Sequence, residues 1–373
     1  MHQLVQDDGS LSEAVHTLAG SRSVALDTEA SSFHRYHERI CLIQMSDRER
    51  TYLVDPFAVK DTDGMVALWS DPGTEIVIHD ADFDLRLIKR SYGARVNKIF
   101  DTLIAAEFMN EPELSLQALL RKYAGVELDK RFQKADWSKR PLPLAMQEYA
   151  AMDTAHLLAL RDLMENVLKK LGRWSWAQEE FALLTELPYR SDEAAGPGFL
   201  RIKGAKRLKG KELAVLREVH AWREGVAEQV DRAPFMVVGN EVLLQLSSSP
   251  PSNRKELAQV KGLGERNSDR YGTAILAAVE RALALPKAEW PKLERPKRYK
   301  RDENYERRLK RLKERRDVLA ASMELNPGVL CPNLLLAHIA RTRPADLSTL
   351  RQLEGIRIWQ VENLGAALLE VVD

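Results

Sequence analysis

Along the first half of the chain the apolar positions follow two different periods. Residues 23–29 (SVALDTE), 40–45 (ICLIQM), 51–54 (TYLV) and 75–78 (EIVI) are short runs with β-branched or apolar centres, which predicts four strands. Residues 11–18, 82–92 and 114–123 repeat their apolar positions at helical spacing, as does one long stretch over 144–171. Early strands this closely spaced predict a meander joined to a mixed sheet, with helices packed around it: an α/β domain.

Strand patterns nearly vanish after about residue 190. The rest of the chain holds a segment of small, polar and basic residues, two helical blocks, and a proline-rich basic stretch between the blocks. The expected organisation is an α/β domain over 1–190, a basic linker over 191–209, and a first helical domain over 210–286. A second linker over 287–301 then leads to a second helical domain over 302–373. The two blocks read as copies of one unit. LAQVKG at 257–262 matches LRQLEG at 350–355, YGTAIL at 271–276 matches LGAALL at 364–369, and Asn240 matches Asn333, all at an offset of 93. One glycine of the first copy, Gly264, is Arg357 in the second.

Composition narrows the class. With 45% hydrophobic and 30% charged residues, collagen-like, low-complexity and wholly disordered chains are excluded. No apolar run reaches the roughly 20 residues a membrane span needs, and the opening residues lack the basic and apolar regions of a secretory signal. Cys41 and Cys331 are too few and too far apart for a disulfide framework, so a reducing, cytoplasmic setting is expected, with no membrane partner. A monomer is expected. The overall charge of +1 hides an asymmetry. Residues 1–170 hold 21 Lys/Arg against 27 Asp/Glu, and the remainder 35 against 28. An acidic half joined to a basic half suits a metal-using carboxylate site beside a region that binds a polyanion.

Three groups of residues carry candidate chemistry. Asp27 and Glu29 lie two apart at the end of the first strand, so both carboxylates point off one face and Thr28 off the other. Two such charges repel unless a cation sits between them. Tyr149 and Asp153 are four apart on a helix, one above the other and about 6 Å apart along its axis. Asp84 follows His79 where a strand hands over to a helix, further in than Asp80 and Asp82, which read as capping and first-turn acids. Each group alone reads as ordinary strand-end or helix-surface polarity.

Taken in order, these groups resemble the three exonuclease motifs of the DEDD superfamily: Asp-x-Glu, His-x4-Asp-Leu and Tyr-x3-Asp, the last marking the tyrosine subtype. The stretches Cys41-Leu-Ile-Gln44, Phe100-Asp-Thr-Leu-Ile-Ala105, Leu128-Asp-Lys130 and Ala135-Asp-Trp-Ser138 are similar to that family too. The paired helical blocks resemble HRDC domains, through Pro234–Glu241 and Gly262-Leu-Gly264, which makes the bacterial ribonuclease D family the nearest likeness. The resemblance implies a ribonuclease H-like α/β exonuclease domain, its mixed sheet flanked by helices, followed by two all-α HRDC-type domains. It further implies a catalytic set of Asp27, Glu29, Asp84, Tyr149 and Asp153. The four carboxylates would hold two divalent ions, Mg²⁺ expected and Mn²⁺ possible, and Tyr149 would orient the attacking water. Asp27, Glu29 and Asp153 would share one ion, Asp27 and Asp84 the other. The family more often has Phe where this chain has Ala30, so stacking on the terminal nucleotide is expected to differ here.

The implied activity is metal-dependent 3′–5′ trimming of transfer RNA precursors and other structured RNA 3′ ends, releasing 5′-mononucleotides. Two alternatives stand beside it: a 3′–5′ DNA exonuclease of repair or proofreading type, and a nucleic-acid-binding scaffold with an inactive nuclease. Asp101 reads equally as a support of the site or as a helix cap. His34 and His37 lack the further ligands of a zinc site. Phosphate contact is expected of at least one of two basic segments: residues 201–217 hold seven Lys/Arg against one acid, and residues 287–316 hold fourteen against six, though 305–316 reads in large part as a solvated helix face. On this reading, removing residues 201–373 leaves cleavage of a short single strand intact but weakens action on folded RNA.

Overall fold

A computed structural model describes residues 2–31, 33–186, 197–293 and 302–372. Six strands form one sheet: β1 (His2–Val5), β2 (Ser23–Ala30), β3 (Ile40–Ser46), β4 (Thr51–Val54), β5 (Glu75–Ile78) and β6 (Ile99–Asp101), in the order β1-β4-β3-β2-β5-β6. β4 runs parallel to β1 and antiparallel to β3, while β5 is parallel to both β2 and β6. The sheet is therefore mixed, as the sequence pattern requires. β1 (HQLV) opens on two polar residues and β6 (IFD) is only three residues long, so neither stands out in that pattern, and their pairing defines them. β2 lies inside the sheet, and Val24, Ala25 and Leu26 are fully buried, which anchors the acidic end of the strand.

Eight helices flank the sheet: α1 (Asp8–Ala19), α2 (Asp63–Ser70), α3 (Asp82–Tyr92), α4 (Thr102–Phe108), α5 (Leu116–Ala124), α6 (Leu144–Ala155), α7 (Leu157–Lys170) and α8 (Trp174–Thr185). The single helix expected over 144–171 is broken at His156. No proline or glycine marks the break. Its cause is tertiary: α6 packs on β3 and β4, α7 on α4 and β5, and one straight axis cannot serve both.

The helical blocks repeat the same five elements. α10 (Lys211–Gln229), α11 (Pro234–Val237), α12 (Asn240–Ser248), α13 (Arg254–Leu257) and α14 (Glu265–Ala284) come after the short α9 (Gly198–Arg201). The second set is α15 (Glu303–Ser322), α16 (Pro327–Leu330), α17 (Asn333–Thr342), α18 (Leu347–Arg351) and α19 (Ile358–Leu369). Starts at 234 and 327, 240 and 333, 254 and 347, and 265 and 358 keep the offset of 93 seen in the sequence. A buried arginine makes the same bonds in both: Arg223 donates to the Val238 carbonyl (3.3 Å) and Asn240 Oδ1 (2.7 Å), Arg316 to the Cys331 carbonyl (3.1 Å) and Asn333 Oδ1 (2.9 Å). Each arginine also pairs with the carboxylate that follows it, Glu224 or Asp317, so the matched asparagines complete the partners of a buried cation.

The chain separates into two compact units, each joining segments distant in sequence. One holds the sheet, α1–α8 and the second helical copy. The other holds the first copy together with residues 30–39, the loop that leaves β2. The expected linker over 191–209 is revised where it is described. Phe199, Ile202, Ala205 and Leu208, spaced three apart, are buried in the first copy's core, while residues 191–196 lie outside the described residues. Of the second linker, Leu293 packs on that core and Trp290 donates to the Leu285 carbonyl (3.2 Å); residues 294–301 lie outside the described residues. Among the described residues no helix is long and apolar enough to cross a membrane.

Candidate active site

Carboxylate oxygens of Asp27, Glu29 and Asp153 lie within 4.8 Å of one another. β2 supplies the first two by its two-residue alternation. α6 supplies the third, and Thr154 beside it is tied to Ser46 of β3 through a 2.7 Å hydroxyl contact that seats the helix on the sheet. No Lys or Arg pairs with these three carboxylates among the described residues. Burial is the first cause holding the protons on all three, and repulsion between neighbouring acids adds to it at Asp27 and Glu29. The carboxyl of Asp27 is pushed well above its usual range by burial, then by Asp84, Asp153 and Glu29. Glu29 is raised by burial, then by Asp153 and Asp84. Burial pushes Asp153 up to about 7. A half-buried cluster of acids without a basic partner is a poor arrangement for the empty protein and a good one for a hard divalent cation, which takes oxygen ligands.

Asp84 is buried in α3 but stands outside that trio of oxygens. Its carboxylate accepts from the hydroxyl of Thr28, the residue that alternates to the other face of β2. Burial raises its pKa to about 6, the Thr28 bond opposing the shift. Thr28 is a site neighbour that the sequence pattern missed: alternation turned it away from Asp27 and Glu29, and only the placement of α3 shows what it faces. The turn into α3 is held by Asp101, which is buried and accepts from the backbone N–H groups of Asp80 (3.1 Å) and Ala81 (2.9 Å) while capping α4 through Leu103 N (2.7 Å). Asp80 adopts a left-handed φ of 61° there. Cap and support, the two readings of Asp101, are the same role seen from two helices.

Tyr149 lies one turn before Asp153. Its ring packs against Phe132 (centroids 5.8 Å apart) and Trp137 (6.0 Å). Burial, then the charges of Asp153, Glu29 and Asp27, push its hydroxyl well above the usual phenol range. The protonated form, which can donate a hydrogen bond, is thereby favoured. The segment carrying Trp137 is fastened by Arg140, which pairs with Asp55 (2.6 and 2.8 Å) and donates to the carbonyls of Cys41 (2.6 Å) and Trp137 (2.8 Å). This explains why the stretches around Cys41 and Trp137 belong with the acidic motifs. Gln44, fully buried on β3, has neither amide atom partnered among the described residues.

His34 and His37 belong to the other unit. The His34 carbonyl accepts from Ala233 N (3.2 Å) and His37 N donates to Asp231 (3.2 Å), so both serve to hold loop 30–39 on the first helical copy. Arg39 pairs with the same Asp231 at 2.9 Å.

Residues 2–169 match the 3′-5′ exonuclease family, and residues 212–279 and 306–372 each match the HRDC domain. The chain is 30% identical to ribonuclease D of Desulfotalea psychrophila over 345 residues, covering 92% of this chain and 91% of that one. It is 30% identical to ribonuclease D of Haemophilus influenzae, over 91% and 84% of the two chains. The crystal structure of Escherichia coli RNase D shares the fold with a TM-score of 0.72 at 24% identity, covering 100% of this chain and 98% of that one. The catalytic core of RRP6 from Trypanosoma brucei aligns with a TM-score of 0.67 at 26% identity, over 76% and 81%.

Proposed function

Because the chain belongs to the ribonuclease D family and is a 3′–5′ exoribonuclease, we propose that hydrolysis occurs at Asp27, Glu29, Asp84, Tyr149 and Asp153 and trims the 3′ ends of transfer RNA precursors and other structured RNAs, releasing 5′-mononucleotides. The observation that carries this reading is the convergence of Asp27, Glu29 and Asp153, drawn from a strand and a distant helix, without a basic partner.

Asp27, Glu29 and Asp153 would hold one divalent ion. Asp27 and Asp84 would hold a second, Mg²⁺ by preference for oxygen ligands and Mn²⁺ as an alternative. When bound, the pair supplies acidification of water and neutralisation of the leaving oxygen. The protein's part is to fix these carboxylates before substrate arrives. β2 sets the spacing of Asp27 and Glu29, Ser46 and Thr154 seat α6, and Asp101 holds the start of α3. Asp84 must give up or share its bond from Thr28 to act as a ligand. Tyr149, protonated and clamped by Phe132 and Trp137, orients the attacking water through its hydroxyl.

The test is a time course on a 5′-labelled, 3′-extended transfer RNA and a matched single-stranded DNA, each with Mg²⁺, with EDTA, and with Asp84→Ala protein. A metal-dependent ladder on the RNA, absent in the variant, is expected. Cleavage of the DNA alone would keep the carboxylate chemistry and replace the substrate.

A further inference from the structure

Hydrolysis at the acidic cluster leaves the basic segments around the first helical copy without a role. Far apart in sequence, residues 206–213 and 287–293 come together around one groove of about 610 Å³. That volume falls in the range of about 300–1,000 Å³ typical of sites that hold small organic ligands. Its floor is apolar, formed by Leu208, Leu213, Trp290, Pro291 and Leu293. Lys206, Lys209, Lys287 and Lys292 also line it, and among the described residues no carboxylate does. All four lysines are exposed, and none is ion-paired among the described residues.

The aromatic floor is built rather than incidental. The Trp290 indole donates to the Leu285 carbonyl, and its ring lies over Gly210, where a Cβ would approach it to 3.0 Å. Gly210 also has a φ of 52°, which only glycine adopts freely, so the close seat of the ring and the turn depend on the same residue.

We propose that this groove binds a single-stranded stretch of the RNA substrate, with a base on Trp290 and phosphates on the four lysines, at nucleotides other than the one being removed. The proposal rests on the exoribonuclease reading for its polyanion. The match is one of charge and shape. Lysines on flexible stems follow a strand of phosphates, and an aromatic floor accepts any base, the combination by which single strands are held without reading sequence.

The experiment uses the full chain and a 5′-fluorescein 12-nucleotide oligouridylate, with anisotropy read in EDTA across KCl concentrations. Lys206→Gln/Lys287→Gln should weaken binding about 10-fold near 0.15 M KCl and lower the slope of log K against log salt by about 1.4, two phosphate contacts at about 0.7 each. Trp290→Ala should weaken it by roughly 5- to 100-fold, and Trp290→Phe should recover most of the loss. The lysine variants touch no core residue and carry the test if Trp290→Ala unfolds. An unchanged affinity and salt slope in the lysine variants overturns the proposal. So does a result in which they lose binding to phosphatidylglycerol vesicles while keeping that to RNA. Hydrolysis of the dinucleotide pUpU in Mg²⁺ should proceed at the parental rate in every groove variant, and a parallel loss there also overturns it. If the parent hydrolyses no RNA, the nuclease reading fails while the anisotropy still judges the groove.

Discussion

The two helical copies share five elements and one buried arginine–asparagine bond, yet they have parted company at a single helix start. The first copy reads Gly264-Glu265-Arg266 there and the second Arg357-Ile358-Trp359. In the second, Trp359 stacks on Trp176 of α8 (centroids 4.6 Å apart, 14° between planes) and meets the edge of Phe108 at 5.4 Å. Glu179 accepts from the backbone N–H groups of Ile358 (2.6 Å) and Trp359 (3.0 Å), where the helix dipole favours a negative charge, and Arg357 pairs with Glu180 at 2.8 Å. Arg173, buried, donates to the carbonyls of Phe108 and Met323. These contacts make the second copy part of the catalytic unit's own core. The first copy, whose Arg266 is exposed, instead takes loop 30–39, with Tyr36 packed against its core. The duplicated module thus packs on α8 and Phe108 in one copy and takes loop 30–39 in the other.

The sharpest break in the comparison comes from the catalytic side. Asp27→Ala should lower the hydrolysis rate by about 10³-fold, the equivalent of several kcal/mol of charge stabilisation, while leaving affinity for the 12-mer within twofold. A parallel loss of affinity would show that the acidic site and the first copy's unit do not act separately. Next in size is the docking interface. Trp359→Ala should destabilise the catalytic unit by about 3–5 kcal/mol in urea unfolding, and its counterpart Arg266→Ala should change stability by less than about 0.5 kcal/mol. Equal effects would erase the contrast. The same packing revises the expectation for truncation. Removing residues 201–373 strips Trp359 from Trp176 and Phe108, so loss of folding rather than selective loss on structured RNA is expected.

A third prediction concerns metal and pH. Asp84 and Asp153 carry folded-state pKa values raised to about 6 and about 7, so the folded protein holds their protons more tightly than the unfolded chain. Their stabilising contribution is complete below about pH 4 and is lost as pH rises through 6 and 7. In EDTA the catalytic unit should therefore lose on the order of 2 kcal/mol between pH 5 and pH 8, and Mg²⁺ should restore it at pH 8; thermal unfolding with and without the ion reads this. The first copy's unit, which holds none of these acids, should show no such response. Smallest is Tyr149→Phe, which keeps the ring between Phe132 and Trp137 and removes only the hydroxyl. A loss of about tenfold in rate, with unchanged affinity for RNA, is expected from single-turnover kinetics.

Much of this organisation is written in local spacing. Asp27 and Glu29 share a face because they are two apart on a strand, and Tyr149 stacks on Asp153 because they are four apart on a helix. The duplication was legible from its constant offset, down to Asn240 and Asn333. What local spacing cannot carry is which distant surfaces meet. Nothing near Thr28 announces Asp84, 56 residues on. Nothing near Trp176 announces Trp359, and the basic runs at 206 and 287 show no sign in sequence that they border one groove. The break at His156 likewise has no residue signal, since it arises from two halves of a helix serving different partners. Periodicity and composition determined the elements, the order of the acidic motifs and the paired modules, because those depend on neighbours along the chain. The division of the two copies between catalytic core and substrate groove was decided only in the tertiary structure, because burial and charge pairing act between residues that the sequence keeps far apart.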